Sequence, residues 1–105
     1  LDVIIVPLQA VPNQTVNIQL GGQYVVLNIY QKFFGVFMDV FSNGSVVVQG
    51  VICQNLNRIV RDLYFGFVGD FVWIDSFASD DPTYTGVGSR FNLAYLEASD
   101  LNGQG

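Results

Sequence analysis

At 105 residues, half of them hydrophobic and 14% aromatic, the chain can build one domain with an ample core. Charged residues make up only 12%, where soluble domains average about 25%, so a free monomer would expose amides, hydroxyls and apolar groups; such surfaces mark contacts, and a subunit of an assembly is expected. The net charge of −5, only four cations (Lys32, Arg58, Arg61, Arg90) and no histidine argue against nucleic acid and anionic membranes as partners and remove the ordinary general base.

Alternation of apolar and polar residues, not a helical period, runs through most of the chain. The chain opens on Leu1 rather than Met, so the expectation is a start upstream or a processed end. The first predicted strand is Val3 to Leu8, closed by Val11-Pro12-Asn13. The next two form a hairpin around Gly21-Gly22, a dipeptide that accepts the positive φ angles of a two-residue turn. A turn that tight sets Leu20 opposite Gln23, Ile18 opposite Val25 and Val16 opposite Leu27. Those pairs and Ile29 form a core face, while Thr15, Asn17, Gln19, Tyr24 and Asn28 face the other way.

A second hairpin is expected at Asn43-Gly44, the strongest short hairpin signal in the chain. Alternation puts Val36, Met38, Val40 and Val47 on one face. It puts Phe37, Phe41, Val46 and Val48 on the other, interrupted mainly by Asp39. Apolar residues on both faces predict burial on both, and in so small a domain a second chain is the natural cover for one of them. Phe37, Phe41, Val46 and Val48 are therefore candidate interface residues. Neither strand carries the Lys or Pro that shields exposed edges.

Residues 54–69 read as a long connection with one short helical turn over Leu56 to Leu63. Just before it, the lone Cys53 has no disulfide partner and reads as a small buried hydrophobe. Gly66 and Gly69 precede a strand at Phe71 to Phe77, and a last strand spans Arg90 to Leu96. The tail, 98–105, is polar and Gly-rich, expected to be flexible. Seven strands, short hairpins and one long loop predict an all-β fold, a small antiparallel barrel or sandwich, as a single domain over 1–97.

Between the last two strands lies Asp80-Asp81-Pro82-Thr83-Tyr84-Thr85-Gly86-Val87-Gly88-Ser89-Arg90-Phe91. Asp75, Asp80 and Asp81 could supply oxygen ligands to calcium, but the D-x-D-x-D alternation of a helix-loop-helix calcium site is missing. The structural alternative is a turn: Asp81 before Pro82 favours type I geometry, with the carboxylate accepting the Thr83 N–H. Gly86 and Gly88 then serve as permissive backbone positions, and Arg90 pairs with an upstream acid to pin the loop. The glycines make no dinucleotide fingerprint, since a third is missing and a strand follows. A carboxylate pair for glycoside hydrolysis would need a cleft and a fixed separation that sequence does not supply. Trp73, with Phe71, Phe77 and Tyr84, reads either as core or as a sugar-stacking platform.

Three segments together, Pro7-Leu8-Gln9-Ala10-Val11-Pro12-Asn13-Gln14-Thr15, Gly21-Gly22-Gln23-Tyr24 and the 80–91 loop, resemble the cyanophage-type baseplate plug domain of contractile-tailed phages. The resemblance runs from about Val3 to Leu96; Phe33 to Phe41 and Arg58 to Tyr64 are not among the segments that carry it. It implies a virion structural protein of the tail baseplate, assembled in the host cytoplasm, that closes the tube end and joins hub to spike. The implied partners are hub, spike and tube proteins and copies of itself, with no catalysis, metal or cofactor. On this reading Asp80, Asp81, Pro82, Thr83, Tyr84, Gly86, Gly88 and Arg90 form a rigid partner-contacting loop. The rival reading is a carbohydrate- or receptor-binding β-module on a virion, using Trp73 and Tyr84, with calcium at Asp80 and Asp81.

Overall fold

Two antiparallel sheets face each other across one core, in a computed structural model that describes residues 4–33, 35–60 and 69–97. Strands β2 (Asn13–Leu20), β3 (Gln23–Lys32), β4 (Gly35–Ser42) and β5 (Ser45–Ile52) make a four-stranded meander. Strands β1 (Ile4–Val6), β6 (Asp70–Asp75) and β7 (Phe91–Leu96) make the second sheet in the order β1-β7-β6. The sheets do not close on one another, so of the two architectures the sequence allows the molecule takes the sandwich.

The register of the first hairpin follows from its turn. Leu20 pairs with Gln23, Ile18 with Val25 and Val16 with Leu27, and pairing continues without a slip to Asn13 and Tyr30. Gly21 and Gly22 both take positive φ, as a two-residue turn between right-twisted strands requires. Val25, Leu27 and Ile29 are buried while Tyr24 is exposed. From the opposite sheet, Val6, Phe71, Trp73, Leu93 and Tyr95 complete the core with Met38 and Val40. Each such side chain, fully buried, contributes about 1.5–3 kcal/mol.

The second hairpin turns at Asn43, φ 51°, and Gly44, as its sequence dictates. Its register then departs from strict alternation. Phe41 pairs with Val46, but Val40 pairs with Val48 and Met38 with Val51, so β5 carries an extra residue at each step. This is bulging, two residues against one. It turns both Val47 and Val48 towards the core, and Val48 leaves the outer face on which alternation placed it. Asp39 Oδ1 caps the second irregularity by accepting the Gly50 N–H at 2.7 Å and the Tyr30 hydroxyl at 3.0 Å.

Three boundaries also differ from expectation. The first strand, described from Ile4, ends at Val6 rather than Leu8, because Pro7 offers no N–H to extend the ladder, and Val3 lies outside the described residues. The sixth ends at Asp75, not Phe77, because the Asp75 carboxylate accepts the Phe77 N–H and turns the chain. The described part of the expected helical turn, 56–60, runs instead along the edge of β6. Leu56 takes φ 64°, and the Leu56 and Ile59 N–H groups donate to the Trp73 and Phe71 carbonyls. The rest of that expected turn, Gly66 and the 98–105 tail lie outside the described residues.

Candidate functional site

The 80–91 loop is held by a partly buried ion pair at its root. Asp75 closes β6 with its side chain wholly buried, and Arg90 enters β7 opposite it. Arg90 Nε and Nη2 donate to the two Asp75 oxygens at 2.8 and 2.9 Å, the bidentate arrangement that fixes both position and plane. Asp75 also accepts the Phe77 and Asp80 N–H groups at 2.9 Å each. The guanidinium, and behind it these amides, hold the Asp75 carboxyl well below the usual carboxylate range against the opposing effect of burial. Arg90 Nη2 reaches on to Asp80 Oδ2 at 2.7 Å, and its guanidinium lies over the rings of Phe77 and Phe91.

Two carboxylates that the calcium reading would share thus converge on a cation of the protein itself, and the third turns elsewhere. Asp81 Oδ1 accepts the Asn55 N–H at 3.0 Å, where the turn reading had it accept from Thr83. No type I turn forms at Pro82. Thr83 is extended at φ −127° and ψ 151°, and the chain bends in a short 3-10 turn at Tyr84–Gly86. Asp81 has a better acceptor role bridging to a distant loop than closing a local one, because the Asn55 N–H lies beyond the end of β5 with no ladder partner. Pro82 is buried; Asp80, Asp81, Thr83 and Gly88 are exposed; Tyr84 and Gly86 lie between.

The loop is tied to three other segments. The Tyr84 N–H donates to Gln31 Oε1 at 3.1 Å, reaching the end of β3. Asn55 joins the second tie, accepting the Asp75 N–H on its side chain at 2.9 Å while its own N–H goes to Asp81. Gly88 makes the third: with φ +89° it lies so close to the β1–β2 connection that a Cβ there would sit 2.4 Å from the Leu8 carbonyl oxygen. Gly86 does not need a positive φ; it is small because the Phe91 ring packs on it. Sequence reading passed over Asn55 and Gln31. Both sit among ordinary polar connections, and only the fold brings them to the loop.

The segments that meet the loop carry exposed apolar side chains. Phe33 is 93% exposed, Phe77 81% and Leu56 64%, and Ile52 joins them from the end of β5. Phe33 follows β3 at the end that Gln31 ties to the loop, and Ile52 and Leu56 flank the segment that Asn55 ties to it. Farther along the outer face of the meander, Tyr30 stacks on Phe37 with centroids 6.3 Å apart, and Phe41 pairs with the exposed Val46. Asn28 and Asp39 divide those two apolar areas. Of the four residues assigned to an interface hairpin, Phe37, Phe41 and Val46 lie on this outer face, and Val48 does not.

Trp73 and Phe71 are sealed in the core with no exposed surface, so neither can stack on a sugar. Cys53 is buried as expected; burial pushes its thiol pKa far up, only partly offset by the Trp73 indole beside it. Among the described residues no three His, Cys, Asp or Glu side chains gather as a metal site, and no helix is long and apolar enough to cross a membrane.

No curated protein matches the chain. The family model described as "Cyanophage baseplate Pam3 plug gp18" matches residues 3–98, which span both sheets and the whole loop. A match of that extent fixes the family and, with it, the coarse role of a structural protein in the virion tail baseplate, in contact with other baseplate components. The chain belongs to the cyanophage baseplate plug family.

Proposed function

We propose that this chain closes the end of the tail tube and joins hub to spike, acting through shape and apolar burial without catalysis or cofactor. The observation that carries the reading is the exposed apolar area of Phe33, Leu56 and Phe77, each on or next to a segment that is joined to a loop clamped by Asp75 and Arg90. Exposed apolar area of this kind costs solubility in a free protein and is stabilising once another protein covers it. A clamped loop loses little conformational entropy on docking, so more of the interface energy appears as affinity. Its partners on this reading are hub, spike and tube proteins and further copies of the chain, assembled in the host cytoplasm.

A plug must hold until triggered and then release. Several modest apolar contacts that break together under movement of a surrounding ring satisfy both demands better than one very tight contact. The test is incorporation. A Phe33→Ser, Leu56→Ser double variant alters two side chains that face solvent, and is expected to keep the melting temperature of the parent while falling out of purified particles. Particles that take up the variant at the parental level would refute the assignment of these side chains to a contact with the hub or spike.

A further inference from the structure

The geometry points to strand β2 as a self-pairing edge, through which two copies of this chain join their four-stranded sheets into one continuous sheet. This does not rest on the tube-closing role, since it uses a different side of the molecule.

Of the four sheet edges, three are blunted among the described residues. β1 has three residues. The edge of β6 is occupied by 55–59, whose N–H groups donate to it. β5 is bulged twice. These are the devices by which proteins prevent edge-to-edge pairing. β2 has none of them. It runs for eight residues, Asn13–Leu20, in unbroken register with β3, and it contains no charge and no proline.

The parity of its backbone can be read off. Pro12 accepts the Gln31 N–H, so even-numbered residues of β2 direct their N–H and C=O groups to β3. Thr15, Asn17 and Gln19 direct theirs outwards. The core side is also unfinished at this edge. Val16 and Ile18 are only half-buried, although their partners Leu27 and Val25 are fully buried, because the opposing sheet is one strand narrower.

A second copy fits both requirements. An antiparallel pair on a two-fold axis at Asn17 sets Asn17 against its own equivalent and Thr15 against Gln19, using only outward-directed groups for roughly six hydrogen bonds. On the core side the same register sets Val16 against Ile18 in both directions, covering the half-buried pair. A strand without charge meets its copy without repulsion, even though each chain carries −5 overall. Among segments the chain itself supplies, β2 is its own complement.

The test is the mass of the full chain in solution, by light scattering or sedimentation, up to about 1 mM, where a Kd near 1 mM half-populates a complex. The parent is expected to move from one chain to two as concentration rises. Asn17→Pro removes an N–H that β3 does not use, a substitution edge strands tolerate, and is expected to remain a single chain at every concentration. Asn17→Lys and Asn17→Asp each place like charges at the axis and are expected to be single chains alone, while an equimolar mixture pairs. The charged variants decide the matter if the proline variant fails to fold. A parent that stays a single chain to 1 mM overturns the inference. So does a parental association that survives Asn17→Lys, or one abolished by Phe37→Ser on the outer face instead.

Discussion

Replacing Gly88 with alanine isolates the contact that ties the loop to the β1–β2 connection. Two costs act there. The backbone sits at φ +89°, which an L-residue adopts at roughly 1–3 kcal/mol. The added methyl would also lie 2.4 Å from the Leu8 carbonyl oxygen and 3.2 Å from its carbon. Both neighbours are backbone, so a rotamer change cannot relieve the overlap, and forced displacement adds about 1–3 kcal/mol. Gly44 supplies the control: φ +86°, with nothing within 4 Å of the Cβ position. Gly44→Ala is expected to lower stability by about 1–2 kcal/mol, after the small gain from a stiffer unfolded chain. Gly88→Ala carries the same strain and the overlap besides, for roughly 2–5 kcal/mol. At about 4–8 °C per kcal/mol for a domain near this size, the two melting temperatures separate by on the order of 10 °C in a circular-dichroism melt. If Gly88→Ala melts no lower than Gly44→Ala, the loop is not seated on Leu8 as described.

The remaining predictions concern the ion pair, the bulge, the thiol and the loop. Arg90 depresses the folded-state pKa of Asp75, so the stability this pair contributes is complete above the unfolded value of about 3.9 and drains away as pH falls towards the folded value. The urea midpoint of the parent should therefore decline below pH 4, and Arg90→Met should lower it at pH 7 while flattening that decline; an unchanged acid profile in Arg90→Met would count against the clamp. Val48→Asp should destabilise by roughly 2 kcal/mol or more and Val46→Asp by no more than about 0.5, since only Val48 is turned inward; equal losses would contradict the bulge. Cys53 should resist a thiol-specific reagent at pH 8 in the folded chain and react in guanidinium; rapid labelling without denaturant would place it elsewhere. Asp81→Ala should cost about 0.5–1.5 kcal/mol by freeing the Asn55 N–H, and should reduce uptake into particles; normal uptake would remove the loop from the assembly surface.

The meander was largely legible because its information is local. Gly21-Gly22 and Asn43-Gly44 name their turns, a two-residue turn sets the register, and the register sets the faces. The pairing of Val16 with Leu27 needed nothing more. Val48 was misplaced because a bulge depends on what the neighbouring strand and Asp39 can satisfy, and alternation alone cannot count an extra residue. The loop was legible in its charges and not in its ties. Arg90 had acids within reach in sequence and met two of them, whereas Asp81 passed over Thr83, two residues on, for Asn55, 26 residues away. Such a choice depends on which backbone groups the rest of the fold leaves without partners.

The ladder between β1 and β7 joins Ile4 to Tyr95, nearly the full span of the described chain. On the ribosome, the meander from Asn13 to Ile52 emerges before β6 and β7 and can form from neighbouring hairpins. Its lid cannot, because β7 is the centre of the other sheet and is synthesised after the whole meander. Until it arrives, Val25, Leu27, Ile29, Met38 and Val40 face water on a nascent half-sandwich. The interval between translating Ile52 and Leu96 is therefore when this polypeptide is most open to wrong partners, and when a chaperone or an early-binding neighbour would most change its yield.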